Sequence, residues 1–388
     1  MQTAQRLNNL PTYVFATIGK RIQALKAQGV DVIPLDIGSP DLTPPDAAIE
    51  TLERSARDPR KHGYPSFYGA PSFRAAVAEY YGRRFGVELD PESQVLALIG
   101  SKEGIFHLPM AFVDPGTVAL VPDPGYPTYR NAVYLVGGEV YPMPLAEERG
   151  WLPDLTAIPS EVLARTRIMW LNYPSNPTTA IAPLSFLAEA VEFARKHSIL
   201  LAYDNPYADV TWDGYVAPSV LQVPGAMDVA VEFNSLSKSH NMAGWRVGMV
   251  VGNREALAAL ARLKTNADTG IFQPLQDAAV AALQTDDGWI AQRNQVYRER
   301  RQVVTAALDR MGLSYTPSSA TLYVWVRLPA GQRSADYAAA LLEATGVSLS
   351  PGIAFGEHGE GYVRITLGHP AARLAEAMER WERWMASR

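Results

Sequence analysis

The chain has 388 residues, a formal net charge of −5 at pH 7 and no cysteine, which excludes disulfides, cysteine nucleophiles and zinc–cysteine sites. Its length allows a large core and two domains. With 47% hydrophobic and 19% charged residues, no basic run, and no apolar stretch near the ~20 residues of a membrane span, the composition is that of an ordinary globular protein with neither nucleic acid nor membrane as a main partner.

The first residues, Met1 to Leu7, lack the basic start and apolar core of a signal peptide. Together with the missing cysteines this fits a cytoplasmic location. A helix pattern over 16–28 comes first. From there the chain alternates apolar runs with helical periodicity. Residues 95–99, 117–121, 168–171, 199–203, 229–233 and 247–251 read as short buried strands, and 102–112, 126–136 and 183–197 as helices. Such alternation implies a largely parallel sheet covered on both faces, with ligands beyond the carboxyl ends of its strands. A charged helix over 288–311 follows. Then come strand-like 322–327, helix-like 334–345, strand-like 362–367 and a last helix over 370–387. This reads as a smaller α+β domain with the N-terminal segment beside it. The expected division is a large domain over 46–285 and a small one made of 1–45 and 286–388. The histidines (His62, His107, His197, His240, His358 and His369) are scattered singly. None shows metal-ligand spacing, so no metal site is expected.

Several strand ends carry chemistry. Gly100-Ser101-Lys102 opens a helix, whose backbone N–H groups form a ready anion site. Asp123-Pro124-Gly125-Tyr126 is a rigid turn that can present Tyr126 for stacking on a flat ring. Asn172 to Thr178 is a proline-shaped loop carrying Asn176, which can donate to a phenolate oxygen. Asp204, ending the 199–203 run, can hold a pyridine nitrogen protonated, or else cap the next helix. Tyr207 can supply a second hydrogen bond to the phenolate. Ser235-Leu236-Ser237-Lys238 offers two hydroxyls and an amine suited to carbonyl chemistry, and Arg246 follows with a guanidinium suited to phosphate. Arg364 lies in an alternating strand, where it is either solvated or a carboxylate clamp. Each segment alone also fits an ordinary turn or a core tyrosine. Together they form the equipment for an aldehyde cofactor bearing a phosphate, pyridoxal phosphate.

These motifs, in this order from Leu35-Asp36-Ile37-Gly38-Ser39-Pro40-Asp41 to Arg364, resemble the class I/II pyridoxal-phosphate-dependent aminotransferases of fold type I. The resemblance covers nearly the whole chain. It implies a large domain with a mostly parallel sheet between helices and a smaller α+β domain. It implies that Lys238 forms the Schiff base and carries the proton, that Asp204 binds the pyridinium nitrogen, and that Asn176 and Tyr207 bind the phenolic oxygen. Tyr126 would stack on the ring. Ser101, Lys102, Ser235, Ser237 and Arg246 would surround the phosphate. Arg364 would clamp the substrate α-carboxylate with the Gly38 backbone and Asn176. Tyr64 matches a tyrosine that reaches the phosphate of a partner subunit, which implies a homodimer. Tyr13 matches a substrate-contacting position in the LL-diaminopimelate aminotransferase-like subgroup, which is lysine-biosynthetic.

Two departures stand out within that subgroup. Thr179 stands where glycine is usual, and Gln273 stands near where the longer diaminopimelate enzymes place a substrate-contacting asparagine. The arginine that aspartate aminotransferases place on a side-chain carboxylate has no clear match; Arg262 and Lys264 are the nearby cations. The expected reaction moves an amino group from an L-amino acid to a 2-oxo acid such as 2-oxoglutarate, with LL-diaminopimelate as donor, and alanine or aspartate as alternatives. A carbon–sulfur β-lyase, or a transcription regulator with an aminotransferase-like domain, would share parts of the pattern.

Overall fold

The computed structural model describes residues 1–10 and 14–388. The apolar runs become a seven-stranded sheet. In chain order its strands are β1 (Val95–Leu98), β2 (Val118–Asp123), β3 (Glu139–Pro144), β4 (Thr166–Asn172), β5 (Leu200–Asp204), β6 (Ala230–Ser235) and β7 (Gly248–Gly252). Their spatial order is β1-β7-β6-β5-β4-β2-β3. All neighbours are parallel except β7, which runs antiparallel to both β1 and β6. Strands β1, β2 and β6 are buried along their whole length. That is why they read as continuous apolar runs rather than alternating ones.

Register decides where the strand ends meet. Asn172 of β4 sits opposite Asp204 of β5, and Asp204 sits opposite Phe233 of β6. The carboxyl ends of β4, β5 and β6 therefore form one rim, with Ser235 closing it.

A second, antiparallel sheet joins β8 (Tyr323–Arg327), β9 (Ser350–Pro351) and β10 (Tyr362–Thr366). Its apolar face packs with the helices Asp287–Arg310 and Ala371–Ala386 in a cluster that includes Val304, Leu308, Val324, Val326, Ile365 and Trp381. The start of the chain joins this part. Ile33–Pro34 pairs in parallel with Val347–Ser348, and Ile22 and Leu25 of the helix Val14–Ala27 pack with Val32 and Leu342.

The structure also contains elements that the sequence periodicity does not single out. The edge strand β3 is mostly exposed and carries Pro142 and Pro144, so it has neither the apolar run nor the alternation of a buried strand. The helix Pro71–Phe85 buries one face, but that face includes Arg74, Tyr80 and Tyr81, so it does not read as a clear apolar stripe. Its bounds are nevertheless written in the chain, with Pro71 in its first turn and Gly86 left-handed just past its end. The helix expected over 126–136 runs Thr128–Leu135, because the turn before it is used to present Tyr126.

Candidate active site

A cavity of about 360 Å³ opens where the rim of the large sheet faces β8 and β10. The strand ends and the second sheet bring to it Gly38, Ser101, Lys102, Tyr126, Asn176, Asp204, Tyr207, Ser235, Ser237, Lys238, Arg246 and Arg364. Tyr64 lies elsewhere and is 94% exposed, beside a shallow cleft formed with His62, Pro65, Gly270 and Phe272. Tyr13 falls outside the described residues.

Lys238 sits on the short helix Leu236–Ser239 directly after β6. Its Nζ donates to the Gly38 carbonyl. Burial pushes its pKa below the usual lysine range. The Tyr323 hydroxyl opposes that shift, and the cations of Arg364 and Arg246 add to it. An amine that loses its proton more readily is the form that attacks a carbonyl. Arg293, from the long helix Asp287–Arg310, fixes the turn from behind. It donates to the Lys238 carbonyl at 2.8 Å and to the Ser239 carbonyl at 2.5 Å.

Asp204 is 4% exposed. Its Oδ2 accepts from Tyr129 Oη at 2.6 Å, and its Oδ1 has no partner among the described residues. Burial raises its pKa to about 7, with Glu232 adding to the shift and the Tyr129 bond opposing it. A buried carboxylate with a free oxygen is complementary to a cationic N–H. Asn172 braces this corner, donating to the Asp204 carbonyl at 2.7 Å and accepting from Asn176 N at 2.8 Å. Tyr126 lies edge-on to Tyr129, with centroids 5.6 Å apart, and Tyr129 stacks on Trp170.

At the opposite end, Ser101 and Lys102 begin the helix Ser101–Phe112. Gly100 precedes them at φ +71°, and a Cβ there would come within 2.3 Å of Arg246 Nη2. Only glycine lets the guanidinium approach this helix start. Arg246 itself adopts a left-handed backbone and donates to the Ala243 carbonyl at 2.9 Å. Ser235 Oγ and Ser237 Oγ are 2.9 Å apart. Hydroxyls, helix N–H groups and a guanidinium converge here as an anion site.

Arg364 is 5% exposed on β10, so the solvated alternative for it does not hold. Its Nη1 donates to Asn176 Oδ1 at 2.6 Å and its Nη2 to the Asp36 carbonyl at 2.8 Å. Its Cζ lies 4.2 Å from the Tyr323 ring centroid and 4.9 Å from that of Phe355. Gly38 meets Lys238 through its carbonyl. Tyr207 Oη lies 2.9 Å from Tyr323 Oη.

Three site residues escape the sequence reading: Tyr129, Asn172 and Tyr323. Tyr129 follows Tyr126 by three residues, but Tyr126 lies in the turn before the helix, so no helical spacing marks Tyr129. Tyr323 lies inside the run read as a strand and looks like core.

Lys264 is fully buried, and its ammonium lies 3.1 Å from Glu103 and 2.7 Å from Asp268. It neutralises those carboxylates and is not aimed at a substrate. Arg262 is exposed on the same helix. The loop at Thr179 keeps the left-handed backbone that glycine favours, with φ +61°. Ser318 Oγ holds it there by donating to the Thr179 carbonyl at 2.8 Å.

The family described as "Aminotransferase class I and II" matches residues 30–380. An LL-diaminopimelate aminotransferase of Desulforudis audaxviator is 50% identical over 97% of this chain and 96% of that relative. Substrate-bound BacF from Bacillus subtilis superposes with a TM-score of 0.95 at 35% identity, covering 99% of this chain and 98% of that one. A probable N-succinyldiaminopimelate aminotransferase from Thermus thermophilus superposes with a TM-score of 0.90 at 40% identity, covering 95% of this chain and 99% of that one.

Proposed function

Because the chain belongs to the class I and II aminotransferases, we propose that it uses pyridoxal phosphate and takes LL-diaminopimelate as amino donor, with 2-oxoglutarate as acceptor. One observation carries the cofactor: Asp204, whose buried Oδ1 has no partner among the described residues, lines the same cavity as Lys238. The glycine-cleared approach of Arg246 to the helix start supports a phosphate at the other end. The 50% identity to an LL-diaminopimelate aminotransferase over nearly the whole chain supports the donor. Residues 46–285 then form the cofactor-binding domain, and 1–45 with 286–388 the small domain that carries Arg364.

When bound, pyridoxal phosphate supplies an aldehyde for the donor amine and a ring that accepts electrons from the α-carbon. The chain's own residues do the rest. Asp204 holds a proton on the ring nitrogen, and Tyr129 keeps that carboxylate aimed. Asn176 and Tyr207 donate to the phenolic oxygen, and Tyr126 packs on the ring face. Ser101, the Lys102 backbone, Ser235, Ser237 and Arg246 hold the phosphate. Arg364 takes the α-carboxylate with its planar fork, and Asn176 and the Gly38 backbone complete that subsite. Lys238 Nζ, whose proton burial makes easier to lose, would take the α-proton and give it back. Burial of the cavity walls excludes water from that transfer.

We also read the protein as a homodimer in which Tyr64 reaches the phosphate of the partner's site. An exposed tyrosine beside the exposed Phe272 is an aromatic surface suited to burial against a second copy.

The test is half-transamination. The protein loaded with pyridoxal phosphate is mixed with single amino acids, and its visible absorbance is followed to the pyridoxamine form. Fast conversion by LL-diaminopimelate and slow conversion by alanine and aspartate is the expected result. Fast conversion by alanine or aspartate, with none by LL-diaminopimelate, overturns the donor. Release of pyruvate and ammonia without a 2-oxo acid would point to a β-lyase instead.

Arg364→Lys keeps the charge and loses the fork. It is expected to raise the donor KM by about 10–100-fold while melting temperature stays near wild type. An unchanged KM would remove Arg364 from the carboxylate subsite.

A further inference from the structure

Tyr323 begins β8, opposite Thr366 of β10 in register, and is 2% exposed. Three contacts of the site meet on this one side chain. Its hydroxyl lies 2.9 Å from Tyr207 Oη. Its ring lies under the Arg364 guanidinium, 4.2 Å from Cζ. Its oxygen is pressed against residue 38, where a Cβ would come within 2.1 Å of it. The carbonyl of that same Gly38 accepts from Lys238 Nζ. A phenylalanine would fill the same volume in the strand. The hydroxyl adds a buried polar atom, which costs free energy unless it is paired, and its pair is another buried hydroxyl of the site. Lys238, Arg364 and Tyr207 are the ionisable groups around it. Burial alone would raise the Tyr323 pKa, but the cations of Lys238 and Arg364 hold it below the ordinary tyrosine value, which makes its hydroxyl the stronger donor of the pair.

We propose that Tyr323 is a positioning residue for transamination: its hydroxyl donates to Tyr207 and thereby strengthens the bond that Tyr207 gives to the cofactor's phenolic oxygen, while its ring seats Arg364. The inference rests on the cofactor reading above. Chained hydrogen bonds polarise one another in a low-dielectric site. A firmer donor at the phenolic oxygen stabilises its anion, so the chromophore's proton leaves at lower pH. Tyr323 reaches this pair from the second sheet. The subsite for the substrate carboxylate and the tuning of the cofactor are thus tied to one side chain of the small domain.

The test compares wild type, Tyr323→Phe and Tyr323→Leu as holoenzymes. The readouts are the pH midpoint of the visible cofactor band, the donor KM, kcat and melting temperature. Tyr323→Phe is expected to raise the midpoint by about 0.5–1 pH unit, a three- to tenfold change in the proton equilibrium, and to lower kcat. Its donor KM should stay within about twofold of wild type, because the ring under Arg364 remains. Tyr323→Leu should in addition raise the donor KM by about fivefold or more. A purely structural role would lower the melting temperature and leave the midpoint where it is. A normal wild-type band with an unchanged midpoint in Tyr323→Phe overturns the inference alone. A wild type that takes up no visible chromophore overturns the cofactor reading and the inference with it.

Discussion

Lys238→Ala is expected to lower transamination by at least about 10⁴-fold and to leave the fold intact. The loss is large because in the proposed reaction one amine does two jobs, carbonyl attack and proton transfer, and the other described lysine lining the cavity, Lys102, sits at the helix start on the phosphate side. The nearest buried alternative in sequence, Lys264, is held between Glu103 and Asp268. The fold survives because Arg293 grips the Lys238 and Ser239 carbonyls, which alanine keeps. Removing an ammonium that burial already disfavours costs little. Steady-state assays with circular dichroism on the same sample check both halves. Sustained turnover by the alanine variant would remove Lys238 from the chemistry.

Asp204→Asn carries the second large effect, and it has two signs. Turnover is expected to fall by about 10²–10³-fold, because a neutral amide cannot hold a ring nitrogen protonated. Stability of the ligand-free protein moves the other way. Burial holds the Asp204 pKa at about 7 in the folded state, against an ordinary 3.8 when exposed. Between those values the folded state binds the proton that the unfolded state has released. Stability is therefore highest below the unfolded value and falls as pH rises through the folded one. Asparagine removes that loss. At pH 8 the ligand-free variant should exceed ligand-free wild type by up to about 4 kcal/mol, and the two should converge near pH 4. Glu232, also raised to about 7 by burial, slopes the same way, and because it helps to raise Asp204 the difference between the two proteins reports the carboxyl pair. Urea melts at the two pH values measure it. A variant less stable than wild type at pH 8 would show that Asp204 is not a strained, unpaired charge.

The site was legible where function sits on strand ends. Asp204, Lys238 and Ser101 each follow an apolar run within a few residues, so a one-dimensional pattern already marks them as rim positions. Arg364 was legible as a candidate but not as buried. Alternation assigns a residue to a face of a strand, and only the packing of β10 against the cavity says which face that is. Tyr129 and Tyr323 were invisible for a related reason. A tyrosine in an apolar element reads as core, and both are buried; what matters is the atom each hydroxyl meets, Asp204 for one and Tyr207 for the other.

By itself the sequence determined the class of chemistry and the order of elements, because residue types and short spacings are local properties. The amine and the two hydroxyls are readable within residues 235–238, and the carboxylate and the glycine turn each within a few residues of an apolar run. The tertiary structure decided the partners. Strand register set Asn172 beside Asp204, and the long helix sent Arg293 behind the Lys238 turn. The fold also spent Lys264 on an ion trio and brought Tyr323 under Arg364 from a different sheet. Those pairings join residues far apart in the chain, and their energies depend on burial and distance, which no local spacing encodes.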